Sequence, residues 1–208
     1  MIGFYDYTVL LTYLSFLSSF FGIILAFDGK IFYAIMCLMF SGLCDMFDGR
    51  VARTKKRRTN DERNYGMQID SLSDLVCFGV LPALIGYNLG LNKYFIILLM
   101  FYSIAALIRL AYFNMLEMNR NSKKPVKEYT GLPVTSAALI FPFIYMFRSM
   151  LGSSFMYLYA GVLLIVGCLF ISKIKIKKPS MKVMIGFILI GVIELILIIT
   201  IRKLLWSM

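Results

Sequence analysis

Two stretches decide the fold: residues 37–53, CLMFSGLCDMFDGRVAR, and residues 66–83, GMQIDSLSDLVCFGVLPA. The first closes an apolar run and the second opens one. Each carries two aspartates at helical spacing, Asp45 and Asp48 three apart, Asp70 and Asp74 four apart. On a helix such a pair projects from one face. A basic, polar segment joins the two stretches, so the pattern predicts an antiparallel helical hairpin with all four carboxylates at one level.

The rest of the chain is built in the same way. Hydrophobic residues make up 60% of its 208 positions and charged residues 16%, more apolar surface than one soluble core of this size can bury. Crossing about 30 Å of hydrocarbon takes about 20 apolar residues. Seven stretches qualify: 9–27, 31–47, 69–89, 94–115, 134–150, 155–171 and 184–205. Short polar turns join them, which predicts an all-α polytopic membrane protein of a single domain, 1–208. The first stretch has no basic run before it and no small-residue cleavage site after it, and reads as a retained helix.

A net charge of +11 would suggest nucleic acid in a soluble protein, but its distribution points elsewhere. Sixteen of the 22 Lys and Arg residues fall in three loops, after the second, fourth and sixth spans. Loops rich in Lys and Arg stay in the cytoplasm, so the N-terminus and these loops are expected there, with no nucleic-acid partner. The four cysteines, Cys37, Cys44, Cys77 and Cys168, lie within apolar spans without metal-ligand spacing, and there is no histidine. Disulfide and zinc chemistry are therefore unsupported, and any general base must be a carboxylate or a rarer group.

Carboxylates at membrane depth usually face a bundle interior or a wet cavity where a partner offsets their cost. Four convergent ones without histidine or thiolate form a hard-cation site suited to magnesium, manganese or calcium, with room for two ions. The plainer reading has them neutralise Arg50, Arg53 and the adjoining basic run. Gly49, Ala52 and Gly66 leave space between the helices for a bulky ligand, or serve helix packing. Arg109 lies inside the fourth span and needs an anion or a route to water. Either it snorkels or pairs with an aspartate, or its planar fork holds a substrate carboxylate or diphosphate. Asn114 either binds a polar substrate group or caps its helix, and Thr130 opens a Thr-Gly-Leu-Pro turn into the fifth span.

The two stretches together, Asp45-x-x-Asp48-Gly49-x-x-Ala52-Arg53 and Gly66-x-x-x-Asp70-x-x-x-Asp74, resemble the signature of the CDP-alcohol phosphotransferases at all eight defining positions. One departure is the spacer, residues 54–65, which is longer than is commonest in the family and basic. The resemblance implies a six-helix core, here residues 1–172, usually in a homodimer, with 182–205 as an additional helix. It implies that Asp45, Asp48, Asp70 and Asp74 hold two divalent cations, Mg2+, Mn2+ or Ca2+. It further implies that Asp74 is the catalytic base and that Asp45, Asp48, Gly49, Ala52, Arg53 and Gly66 bind CDP-diacylglycerol. A second resemblance, through residues 70–79, 109–114 and 129–138, is to the bacterial and archaeal members that use L-serine. It implies transfer of a phosphatidyl group to the serine hydroxyl with release of CMP, and makes Arg109, Asn114 and Thr130 the acceptor candidates. In those relatives an asparagine commonly follows the threonine of the first span, where this chain has Tyr13 after Thr12.

Sister enzymes using glycerol phosphate or inositol phosphate share the metal motif, and a phosphorylated acceptor would call for further cations beside it. A cation transporter would want polar groups spread through the bilayer rather than clustered at one end.

Overall fold

The computed structural model describes residues 3–91, 95–118, 128–177 and 181–206. It is an all-α bundle. A 3-10 turn, Tyr7–Val9, leads into α1 (Leu10–Phe27), followed by α2 (Ile31–Thr54) and α3 (Asn60–Asp74). A π turn, Leu75–Val80, carries the chain into α4 (Leu81–Asn88), and then come α5 (Ile96–Met118), α6 (Ala137–Tyr145), α7 (Arg148–Leu151), α8 (Phe155–Phe170) and α9 (Met181–Trp206). Two short strands, β1 (Glu128–Thr130) and β2 (Lys175–Lys177), pair antiparallel with Tyr129 opposite Ile176.

Among the described residues, six helical stretches are long and apolar enough to cross a membrane: Tyr7–Phe27, Ile31–Thr54, Asn60–Asn88, Ile96–Met118, Arg148–Ile171 and Val183–Lys203. The fifth predicted span, 134–150, differs from expectation, since only Val134–Tyr145 forms an apolar helix there and it is too short to qualify. Pro142 lies inside α6 and has no N–H to give. The chain then tightens, with Met146 N–H bonding Phe143 O and Phe147 N–H bonding Ile144 O, before α7 begins. Because β1 precedes α6 and pairs with β2, which follows α8, both segments lie at one end of the bundle. The fifth traverse is thus made by a broken helix, and α8 makes the return.

The basic connection that follows α2 lies near the segment that follows α8. Arg50, near the end of α2, contacts Met184 near the start of α9, while Arg202 at the other end of α9 lies over the Phe32 and Tyr33 rings at the start of α2. The basic residues after the fourth span, Arg120, Lys123, Lys124 and Lys127, lie outside the described residues.

Between membrane helices, close packing and hydrogen bonds replace the hydrophobic drive of a soluble core. A Cβ on Gly42 of α2 would collide with the Ala138 methyl of α6. Serines fasten α1 to α2: Ser15 Oγ donates to Ser41 O (3.2 Å), Ser41 Oγ donates to Ser15 O (2.9 Å), and Ser19 Oγ lies 2.8 Å from Ser41 Oγ. Ser73 of α3 donates to Thr12 O at 3.3 Å.

The π turn after Asp74 has a local cause. Pro82 cannot donate to Phe78 O, its helical partner four residues back, and its ring crowds that carbonyl. The helix widens instead, with Leu81 N–H reaching Val76 O. The freed carbonyls are met by side chains: Tyr102 OH donates to Phe78 O (2.7 Å) and Ser103 Oγ to Gly79 O (2.9 Å), both from α5. Tyr159 OH of α8 donates to Pro82 O (2.9 Å). Tyr102 and Tyr159 are fully buried, in an aromatic cluster with Phe141, Phe155 and Phe170.

Tyr102→Phe keeps the ring and leaves the buried Phe78 carbonyl without its donor. The expected loss is about 1–3 kcal/mol, read as a lowered midpoint of thermal unfolding in detergent. Ser103→Ala should cost less, because that hydroxyl is shared with Leu99 O and is only half-buried. Equal stability of Tyr102→Phe and the parent would contradict this account of the π turn.

Candidate active site and metal centre

Both carboxylate-bearing helices run further than their apolar spans. α2 continues to Thr54 and α3 begins at Asn60, so only Lys55–Thr59 connect them. The polar residues of the long spacer thus form helix ends. Thr59 caps α3, its Oγ accepting from Glu62 N–H (3.1 Å) while Thr59 N–H donates to the Glu62 carboxylate (3.0 Å), a capping box. An N-terminal strap secures the hairpin from outside. Lys55 Nζ lies 2.7 Å from Asp6 Oδ2 and 2.9 Å from Glu62 Oε1, and the Lys55 hydrogen bond is the leading cause that pushes the Asp6 carboxyl down to about 2.

The hairpin brings the four aspartates together. Asp45, Asp70 and Asp74 each offer an oxygen within 4.8 Å of the others. Asp45 reaches Asp74, and Asp48 reaches Asp70, across the helix pair. Asp48 and Asp74 are each 8% exposed, while Asp45 and Asp70 are half-buried. Thr12 Oγ1 of α1 donates to Asp48 Oδ2 at 3.3 Å.

The donor set fits divalent cations. Oxygens at about 2.0–2.5 Å from one hard ion lie at most about 4–5 Å apart, the spacing found among Asp45, Asp70 and Asp74. Packed carboxylates of like charge need a cation or proton among them to coexist.

The remaining predicted residues fall into groups. Gly49 is exposed, with Arg53 Nη2 3.8 Å from where its Cβ would be, and the Arg53 charge acts on Asp48. Ala52 is half-buried on the same helix end. Gly66 lies one helical turn before Asp70 and is covered by the Arg58 guanidinium. Arg109 of α5 is half-buried, its Cζ 6.0 Å from the Phe113 ring centroid, and its charge acts on Asp45. Arg109 therefore adjoins the cluster rather than simply snorkelling.

Asn114 is no helix cap, because α5 continues to Met118. It is 8% exposed, accepts from Ser71 Oγ at 2.8 Å and donates to Gln68 Oε1 at 3.4 Å, tying α5 to α3 beside Asp70. With Gln68, Ala111, Met115 and Met118 it lines a cavity of about 420 Å3. Thr130 is exposed on β1, opposite Lys175. The turn after it is anchored on the end of α8: Gly131 has φ +76°, its N–H bonds Ile174 O, and a Cβ there would meet Phe170 O at 2.6 Å.

Sequence reasoning missed Thr12, Ser71 and Arg58. Thr12 carried a signal, since Thr12, Ser15 and Ser19 line one face of an otherwise apolar helix. Arg58 is one member of a basic run and carried none.

The sequence is similar to several curated proteins. Archaetidylserine synthase of Methanothermobacter thermautotrophicus is 32% identical over 160 residues, 75% of this chain and 65% of that protein. CDP-diacylglycerol–serine O-phosphatidyltransferase of Methanocaldococcus jannaschii is 33% identical over 142 residues, 68% of this chain and 62% of that protein. The Saccharomyces cerevisiae protein of the same name is 38% identical over 113 residues, 51% of this chain and 40% of that protein. The chain thus spans less than two thirds of the length of each of these relatives. The sequence profile of the CDP-alcohol phosphatidyltransferases matches residues 8–172, from the strap's end through α8 and including all four aspartates, and the chain belongs to that family.

Proposed function

We propose that this protein is a CDP-diacylglycerol–serine O-phosphatidyltransferase. The observation that carries the reading is the carboxylate cluster at one end of the α2–α3 hairpin, with Arg109 beside it. The names of the relatives support serine, because they differ in the lipid and agree on the acceptor.

In this reading Asp45, Asp48, Asp70 and Asp74 hold two divalent cations, Mg2+, Mn2+ or Ca2+. When bound, such cations supply positive charge for the substrate diphosphate and the leaving CMP. Thr12 fixes one ligand carboxylate, Asp48, through its hydroxyl. Gly49, Ala52, Arg53 and Gly66 line the nucleotide side. Asp74 takes the proton of the serine hydroxyl. The serine oxygen then forms the new bond to the lipid-bearing phosphorus as the bond to CMP breaks, giving phosphatidylserine and CMP. Arg109 receives the serine carboxylate through its planar fork. Asn114 shapes the neighbouring cavity, and Thr130, on the β1–β2 ribbon, is a further candidate for the acceptor.

The site faces the cytoplasm of the cell membrane by the charge asymmetry of the loops, and the protein works as the homodimer that its family implies, among membrane lipids. A phosphorylated acceptor such as glycerol phosphate or inositol phosphate is the competing reading. Arg109 is a single guanidinium beside the carboxylate cluster, which suits a single carboxylate better than a phosphate dianion. Cation transport is disfavoured because the motif acids gather at one end.

Purified protein given CDP-diacylglycerol and Mn2+ should release CMP with L-serine and far less with glycerol phosphate or inositol phosphate. Asp74→Asn should cut this turnover by at least about 10²–10⁴-fold while keeping appreciable CDP-diacylglycerol binding. Turnover with a phosphorylated acceptor alone would overturn the serine assignment, and near-normal turnover of Asp74→Asn would overturn the base.

Arg109→Lys keeps the charge and loses the fork. The KM for serine should rise by about tenfold or more, with that for CDP-diacylglycerol changing little. If CDP-diacylglycerol binding falls instead and serine dependence is unchanged, Arg109 serves the diphosphate.

A further inference from the structure

The basic connection between α2 and α3 is not a loose loop. Lys55 is tied to Asp6 and Glu62, and the capping box fixes Thr59, so the backbone on either side of Arg58 is held. From there the Arg58 side chain turns back along α3. Its Nη2 donates to Glu62 O at 3.1 Å, and its guanidinium rests on Gly66, where a Cβ would meet Nη2 at 2.6 Å. Arg58 Nε is buried and, among the described residues, has no hydrogen-bond partner.

A buried donor without an acceptor is costly, and here it is part of a cation one helical turn from Asp70. Arg58 belongs to the spacer and to none of the eight motif positions. We propose that Arg58 is a substrate-binding residue, its guanidinium taking the diphosphate of the CDP-activated lipid across the bare backbone of Gly66. The inference rests on the reading of the site given above. Two divalent cations would contact the diphosphate, but the four carboxylates offset their charge, which leaves a place for a side-chain cation on the phosphate oxygens. The fork of an arginine matches two phosphate oxygens. The absence of a side chain at Gly66 is what admits the guanidinium, since a methyl group there would displace it.

The test compares CDP binding and Mn2+ binding, by titration calorimetry on the full-length protein in detergent. Arg58→Gln should weaken CDP, measured with Mn2+ present, by about tenfold or more, and leave Mn2+ binding without nucleotide unchanged. Arg58→Lys, which keeps the charge but not the fork, should fall between that variant and the parent. The KM for serine should stay within about twofold in both variants. Unchanged CDP affinity in Arg58→Gln would overturn the proposal. So would a parallel loss of Mn2+ binding, which would mark Arg58 as a prop for the hairpin that holds the carboxylates. If the parent itself bound neither CDP nor Mn2+, the reading of the whole site would fail, and Arg58 with it.

Discussion

Mutual repulsion among four carboxylates, held at one level of a membrane bundle, is the constraint to which the rest of the structure answers. Two unit charges about 5 Å apart repel by about 3 kcal/mol at an effective dielectric of about 20, and the site contains several such pairs. Folded proteins are stable by only about 5–15 kcal/mol. The arrangement therefore needs positive charge within it and a rigid frame around it. Oxygen donors alone, at the spacing of one ion's ligands, state which charge suits it. The frame comes from α1, whose Thr12 holds Asp48 and whose serines lock α1 to α2, and from the Lys55 ion pairs that close the hairpin from outside.

The helix that carries Asp70 and Asp74 is irregular just beyond them for a local reason. Pro82 widens the turn after Asp74, and the carbonyls of Phe78 and Gly79 are met by Tyr102 and Ser103 of α5, with Tyr159 of α8 on the Pro82 carbonyl. No water is available in a bilayer core to do this work. α5 thus supports the floor of the site with its middle and brings Arg109 and Asn114 to the site's edge with its C-terminal half. Packing and chemistry are carried by one helix, with the π turn as their junction.

The hairpin was legible in the sequence because membrane depth makes acids conspicuous and helical spacing fixes their face. Asp45, Asp48, Asp70 and Asp74 could be placed together from those two facts, and Asp45, Asp70 and Asp74 share a ligand-sized volume. Helix ends were less legible: hydropathy stops the second span at 47, whereas α2 runs to Thr54, because cationic residues lengthen a helix into water as readily as apolar ones lengthen it in lipid. The fifth span was misjudged for a related reason. Its hydropathy is continuous across Pro142 and the 146–147 turn, so hydropathy does not mark the break, although Pro142 does. Asn114 was open between cap and contact, and only the continuation of α5 to Met118 decides against the cap. Arg58 was hidden among six neighbouring basic residues, and only its place over Gly66 distinguishes it.

The central claim is that the carboxylates of α2 and α3 form one cation site, and counting the ions in it tests this most directly. Electron paramagnetic resonance of the purified protein titrated with Mn2+ should give two bound ions per chain, with the spin–spin broadening expected of neighbouring ions. Asp70→Asn should lose at least one ion and the broadening. Absence of specific Mn2+ binding, or unchanged binding and spectrum in Asp70→Asn, would contradict the account.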